Sequence, residues 1–498
     1  MSGARALAGE LLWNEARLVA GYAMALVASV VCARALGPTE YGSYLAVAGW
    51  FSALAPVLSM GFGERMLQRF PGLSPEALGG EFRWAFRRFL AVQAVASSVL
   101  LAVWGLLLEW HPQLPPRGRM LAASVWAVGL AAQGFLGTAH IAVGRTRCVF
   151  DVAWIGYLLH ALVLLAVFLC PSGALYLWGL ALAAWACAAI LHARFPRGAA
   201  PSDRGGFWNG SVPYLWARQV VDAGLGRSIQ IVAMTLLLTD AGRLAREITV
   251  FGIAAQWLTF VNIALHAGFQ DVGLRAYVDA RRSGGEAGLR ILWRSCLLYA
   301  VGVTAPWIGL AALAGQPFLS GLYGSAYAGA ADLLLLWLGF GAAGRILGGG
   351  DNVTLLLATG RARAAFLARL VAGAANVGLC LLWIPSLGAQ GAVLAAGVSG
   401  VGGALAERAL LLGVLRGAYP VRGIAGILAA CLGGTLLARG LAQGHAVAAV
   451  AVYAAAAPLF LWAWKPLDRA DLDLLRGASP RLAGWIAPFA RGMRGEGA

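Results

Sequence analysis

The sequence predicts an all-α protein that crosses a membrane many times, and three observations lead there. Apolar stretches of bilayer-spanning length fill the chain, about fourteen of them, because a helix rising 1.5 Å per residue needs roughly 20 apolar residues to cross hydrocarbon. The composition of the 498 residues is 60% hydrophobic and 12% charged, with a mean hydropathy of +0.74, outside the range of soluble domains. The runs are continuous and lack the period-two alternation of a membrane barrel, so helices are expected. One soluble chain cannot enclose so many helices that are apolar all round.

In chain order the expected spans are 11–33, 41–62, 89–110, 120–143, 148–170 and 174–193, then 212–238, 248–269, 291–314, 331–357, 364–384, 390–412, 423–438 and 446–464. The first is too long for a signal peptide and its start is interrupted by Glu15 and Arg17. Arginines crowd alternate breaks. Arg65, Arg69, Arg83, Arg87, Arg88, Arg145, Arg147, Arg194, Arg197, Arg204, Arg275, Arg281, Arg282, Arg290, Arg361, Arg363, Arg416 and Arg422 fall on one side, with a basic tail. Arg34, Arg117, Arg119, Arg243, Arg246 and Arg439 fall on the other. The asymmetry of roughly four to one places both termini in the cytoplasm.

Two short patterns recur in the same order. Gly61-Phe62 with Glu64, Leu67 and Phe70 returns as Gly268-Phe269 with Asp271, Leu274 and Tyr277. Gly144-Arg145-Thr146-Arg147 returns as Gly360-Arg361-Ala362-Arg363. They predict two lobes of six helices, 1–193 and 212–415, with a polar linker at 194–211, extra helices at 416–464 and a basic tail at 465–498. An even number of spans per lobe makes the repeat parallel. Phe82, Trp84, Phe86 and Phe89 among Arg83, Arg87 and Arg88 suit an interfacial amphipathic helix, as do Leu482, Trp485, Ile486 and Phe489 in the tail. Ordinary flanking anchors fit both stretches as well.

Several chemistries are disfavoured. The net charge of +16 is dispersed among loops without an aromatic-basic ribbon, which argues against nucleic acid. Seven cysteines, an odd number at no metal spacing, and six scattered histidines argue against a disulfide framework, a metal or another cofactor. Lys465 is the single lysine and follows Trp464, so no Walker A loop exists. Gly348-Gly349-Gly350 lies inside an apolar run and is expected to loosen a helix. With no large polar loop to hold catalytic residues, an enzyme is not expected.

What remains is charge within the membrane, which usually faces a cavity or a partner. Span seven holds Arg218, Asp222 and Arg227; span ten holds Arg345 and Asp351. Arg218 and Asp222 share a helix face, which suits a structural ion pair as well as a lumen. Arg345 lies mid-span with no carboxylate three or four positions away. Asn14, Arg17, Gln256 and His266 are secondary lining candidates, while Arg294, Arg369 and Arg408 sit near span ends and are expected to snorkel. Arginines facing a lumen select an anion, and guanidinium suits a pyrophosphate head.

Longer motifs add a resemblance. Arg34-Ala35-Leu36-Gly37-Pro38-Thr39-Glu40-Tyr41-Gly42-Ser43-Tyr44, Tyr323-Gly324-Ser325-Ala326-Tyr327-Ala328-Gly329-Ala330, Ala358-Thr359-Gly360-Arg361 with Asn376, and Ile384-Pro385 with Gly388-Ala389-Gln390-Gly391-Ala392 stand in order along most of the chain. Together they resemble the multidrug/oligosaccharidyl-lipid/polysaccharide exporter superfamily, in its branch of O-antigen-type flippases. The segment 212–239 departs from the pattern. The resemblance implies two bundles forming a V with alternating access, in a bacterial inner membrane. It also implies a polyprenyl-pyrophosphate-linked oligosaccharide substrate, with membrane lipids, a polysaccharide polymerase and glycosyltransferases as partners. Coupling to H+, Na+ or the membrane potential stays open, with Asp222 or Asp351 as the protonation switch. A peptidoglycan-precursor flippase, a multidrug exporter and a polysaccharide polymerase or ligase are the rival readings.

Overall fold

Lipid offers no partner to a backbone N–H or C=O, so an apolar run that crosses it must close its hydrogen bonds within itself. A computed structural model describes residues 2–59, 62–63, 66, 70, 73–110, 116–196, 227–442, 444–464 and 466. Among the described residues the regular structure is helical and no strand occurs. In chain order the helices are α1 (Ser2–Ser59), α2 (Pro75–Trp110), α3 (Arg117–Ala142), α4 (Thr146–Leu169), α5 (Gly173–Arg194), α6 (Arg227–Leu237) and α7 (Ala241–Tyr323). After a short 3-10 turn come α8 (Gly329–Ile346), α9 (Asp351–Ala358), α10 (Ala362–Leu387), α11 (Ala389–Leu410), α12 (Val421–Ala442) and α13 (Ala446–Trp464).

Among the described residues, 12 helical stretches are long and apolar enough to span a membrane. The first covers the expected spans one and two, which α1 joins through a non-helical Gly37. Expected span seven falls mostly outside the described residues, leaving α6 as its described end, and α7 joins spans eight and nine across Gly285. The chain is a multi-pass membrane protein. Its large apolar side chains face outward as lipid requires: α4 exposes Leu158, Leu162, Leu165 and Leu169, and Leu182 and Val447 are 74% and 85% exposed. In water such a surface would be an aggregation site.

The chain divides into unit 1 (Met1–Ile253 with Leu379–Ala392) and unit 2 (Ala254–Gly378 with Val393–Ala498). Unit 1 has an aromatic core in which Phe82 stacks on Phe195 at 3.9 Å and Phe89 meets Phe135 at 4.7 Å. A second cluster surrounds the fully buried Trp104, Met120 and Leu177. This packing corrects the interfacial reading of the stretch 82–89. It is continuous with α2, and Phe82, Ala85 and Phe89 are buried in protein while Arg83, Arg87 and Arg88 are exposed. The aromatic face therefore gains more from close ring packing than from lying on headgroups. In unit 2, Trp293, Leu297 and Val301 pack with Leu355, Leu356, Leu411 and Ile424. The expected tail helix lies outside the described residues.

The Gly-Arg repeat is also a repeat of structure. Gly144 and Gly360 both take positive φ, 71° and 78°. The amides of Arg145 and Arg361 return to His140 and Leu356 by the same six-residue closure of a helix end. Each guanidinium then donates through Nη1 to a carbonyl 49 positions onward, Arg194 at 3.1 Å and Leu410 at 2.9 Å. Both carbonyls end a helix, where a cation offsets the dipole.

Opposite charges also fasten the junction of α10 and α11 to α7. Arg243 Nη2 donates to the Ser386 carbonyl near the end of α10, at 3.0 Å. Glu247 Oε2 accepts from the Ala389 amide that starts α11, at 2.8 Å. Both match the sign of the helix end they touch. Glu247→Ala is expected to lower stability by about 1 kcal/mol, the usual effect of losing an N-terminal cap. A thermal melt of the purified protein in detergent checks it, with Glu247→Gln keeping part of the loss back.

Candidate functional site

Three consecutive glycines interrupt the span 325–358 inside the membrane. Helix α8 stops at Ile346, Gly348 and Gly350 adopt φ of 87° and 94°, and α9 restarts at Asp351. A Cβ at Gly348 would stand 2.5 Å from Asn352 Oδ1, so conformation and space both require glycine there. The end of α8 has the double closure of a Schellman motif, Gly349 N to Gly344 O and Gly348 N to Arg345 O, each 2.8 Å.

A broken helix in lipid must account for every carbonyl it frees. Here side chains do so. Tyr419 Oη donates to Ile346 O at 2.8 Å, and Asn352 Nδ2 donates to Leu347 O at 2.9 Å. Arg345 Nη1 donates to Gly349 O at 3.3 Å, and Thr354 Oγ1 donates to Gly350 O at 3.2 Å. Asn352 is fully buried; its Oδ1 accepts from Trp293 Nε1 at 3.0 Å, and Nδ2 also reaches Ala404 O at 3.3 Å. The Tyr419 ring lies beneath the Arg408 guanidinium, 4.0 Å from its carbon.

Arg345 and Asp351 stand on the two sides of this break, the cation in the last turn of α8 and the anion in the first turn of α9. Each sign complements its helix end. The two groups interact electrostatically, and Asp351 also feels Tyr277 and Cys296. Both residues are half-buried. Among the described residues the Arg345 guanidinium makes one hydrogen bond, from Nη1. A half-buried guanidinium thus keeps donors to offer on one edge.

The remaining sequence candidates are placed as follows. Arg218 and Asp222 lie outside the described residues. Arg227 is the first residue of α6, while its side chain and those of Asn14 and His266 lie outside the description. Arg17 is half-buried in unit 1, where its carbonyl accepts from Tyr157 Oη at 2.8 Å. Gln256 is half-buried in unit 2. Arg369, expected to snorkel, instead pairs with Glu407 at 2.9 Å, a carboxylate whose side chain is only 2% exposed. A buried carboxylate needs a cation more than the interface does. Arg408 likewise spends its charge on the Tyr419 ring. Asn352, Trp293, Tyr419 and Glu407 were not singled out by sequence. Only Asn352, adjoining the glycines and Asp351, carried a local signal.

No family model and no curated protein matches the sequence. Solved structures do match. A lipid II flippase, MurJ in an inward closed conformation, aligns with a TM-score of 0.62 at 12% identity, covering 90% of this chain and 97% of that one. The chain has the fold of the MOP transporters. A MOP superfamily transporter from Pyrococcus furiosus, described as having a binding pocket of reverse polarity, aligns with a TM-score of 0.53 at 13% identity over 82% of this chain and 96% of that one. MATE in complex with MaL6 gives 0.56 at 11% identity over 81% and 96%. At such identities the likeness is one of fold, and the MOP fold agrees with the all-helical architecture expected from the sequence.

Proposed function

We propose that this chain is a secondary flippase that moves a polyprenyl-pyrophosphate-linked oligosaccharide across the bacterial cytoplasmic membrane for surface polysaccharide synthesis. The observation that carries the reading is the half-buried guanidinium of Arg345, inside a span, which among the described residues makes a hydrogen bond from Nη1 alone. Two parallel N–H donors on one edge are what a pyrophosphate oxygen pair accepts. A cation would be repelled by the same group. The fold supports the reading, since one of the solved structures that share it is a lipid II flippase. Arg218 and Arg227 are proposed as further head-group ligands, and Asp222 or Asp351 as a switch. An inside-negative potential assists, by ~2.3 kcal/mol per negative charge carried outward per 100 mV. The TM-score to MurJ keeps a peptidoglycan-precursor flippase as the second reading.

The test is reconstitution of the full chain in liposomes with three fluorescent probes: an undecaprenyl-pyrophosphate oligosaccharide, lipid II and a cationic dye. Protein-dependent flipping of the first alone is expected. Preference for lipid II would favour the second reading. Transport of the dye with neither lipid moved would overturn both.

A further inference from the structure

We propose that unit 1 contains a proton-binding site, His160, wired through the Tyr176 hydroxyl to the thiol of Cys32. His160 lies within the span 146–169 on α4, half-buried. Its Nε2 is 3.0 Å from Tyr176 Oη on α5. Tyr176 is buried, hydrogen-bonds the fully buried Cys32 of α1, and meets Tyr44 of α1 edge-on at 4.9 Å. One imidazole and one phenol thus tie α1, α4 and α5 together. Among the described residues the His160 ring makes this hydrogen bond alone.

Histidine is the side chain whose ordinary titration falls near neutral pH, and an ionisable group inside a span is seldom idle. With the neutral ring taken as its Nδ1–H tautomer, the two protonation states of His160 set opposite polarities in the chain of bonds. In the neutral ring the proton is on Nδ1, Tyr176 O–H donates to Nε2, and the Cys32 S–H donates to the phenol oxygen. In the imidazolium, Nε2–H donates to the phenol oxygen, so the Tyr176 hydrogen must turn to the thiol sulfur. One proton is gained at the ring and no covalent bond between heavy atoms changes. Sulfur is a weak acceptor, so protonation strengthens the α4–α5 tie and loosens the α5–α1 tie.

The charged groups nearby are committed elsewhere. Glu40 of α1 sits beside Gly173, a turn before Tyr176, and accepts from Arg119 of α3 at 2.7 Å. Arg119 also donates to Ser43. The Arg17 guanidinium acts on Tyr157, nearly a turn before His160. Tyr41 and Trp126 flank Tyr44. Use of the site to couple proton uptake to transport rests on the proposed flippase function; proton binding itself does not.

The experiment is magic-angle-spinning NMR of the full chain in liposomes with 15N-labelled histidine, the signals lost in His160→Gln being those of His160. The expected result is an unprotonated Nε2 at high pH and a titration between about pH 5 and 7.5 that the Tyr176 ring signals follow. Cys32→Ser is expected to move the midpoint by about half a pH unit or more, because a hydroxyl differs from a thiol both as the donor used with the neutral ring and as the acceptor used with the imidazolium. His160 signals that stay constant over this range, or a midpoint unmoved by Cys32→Ser, would overturn the proposal. No substrate is present, so either outcome leaves the flipping assay to judge transport separately.

Discussion

Arg345→Ala is expected to reduce flipping of a pyrophosphate-linked lipid at least about a hundredfold while leaving the protein folded in the membrane. Charge-assisted hydrogen bonds contribute roughly 1.5–3 kcal/mol each, and every 1.4 kcal/mol is a factor of ten. Loss of two such bonds to a pyrophosphate therefore removes about two decades or more. The structural loss is smaller: among the described residues the guanidinium makes one bond, from Nη1 to the Gly349 carbonyl, and at 3.3 Å it is long. Its removal is expected to lower stability by about 1 kcal/mol or less. Arg345→Lys separates charge from geometry, because an ammonium keeps the positive charge but has no planar fork. It is expected to retain only part of the activity. Initial rates in liposomes, compared at equal reconstituted protein, measure both variants. Wild-type rates in Arg345→Ala would remove Arg345 from the head-group site.

The legible features were those whose cause is local. Continuous hydropathy sets the spans, and three adjacent glycines locate the break, because no other residue type so readily lets a helix stop and restart within seven residues. The Gly-Arg turns were visible as a repeat, although their shared reach to a carbonyl 49 positions away was not. What the sequence concealed depends on side chains far apart along the chain. Trp293 comes to the break from α7 and Tyr419 from the link between α11 and α12, and nothing in their own neighbourhoods marks them. Arg369 near a span end looked like an interfacial anchor because Glu407, its partner, lies on a different helix. The aromatic face of 82–89 has a period that cannot tell lipid from a protein neighbour, and Phe135 and Phe195 decide it.

Asn352→Ala is expected to be among the most destabilising single changes in unit 2, lowering stability by about 3 kcal/mol. The carboxamide makes three bonds, from Trp293 Nε1 and to the carbonyls of Leu347 and Ala404, and the residue is fully buried. Side-chain hydrogen bonds inside membranes average only about 0.6 kcal/mol when both partners can find alternatives, with a maximum near 1.7. Here the value per bond belongs between the two, about 1 kcal/mol, since the carboxamide that makes all three is fully buried. Gly348→Ala reaches the same carboxamide from the other side, placing a methyl 2.5 Å from Oδ1 at a φ of 87°. If the break is held through Asn352, the two changes share one loss, and the double variant costs less than the sum of the singles. Thermal unfolding of the four proteins in one detergent measures that coupling; strict additivity would show that glycine and asparagine act separately. Arg345 ends the helix that this carboxamide closes, so Asn352→Ala should also slow flipping with Arg345 still present. Positioning of the guanidinium, and not its charge alone, is what that loss would report.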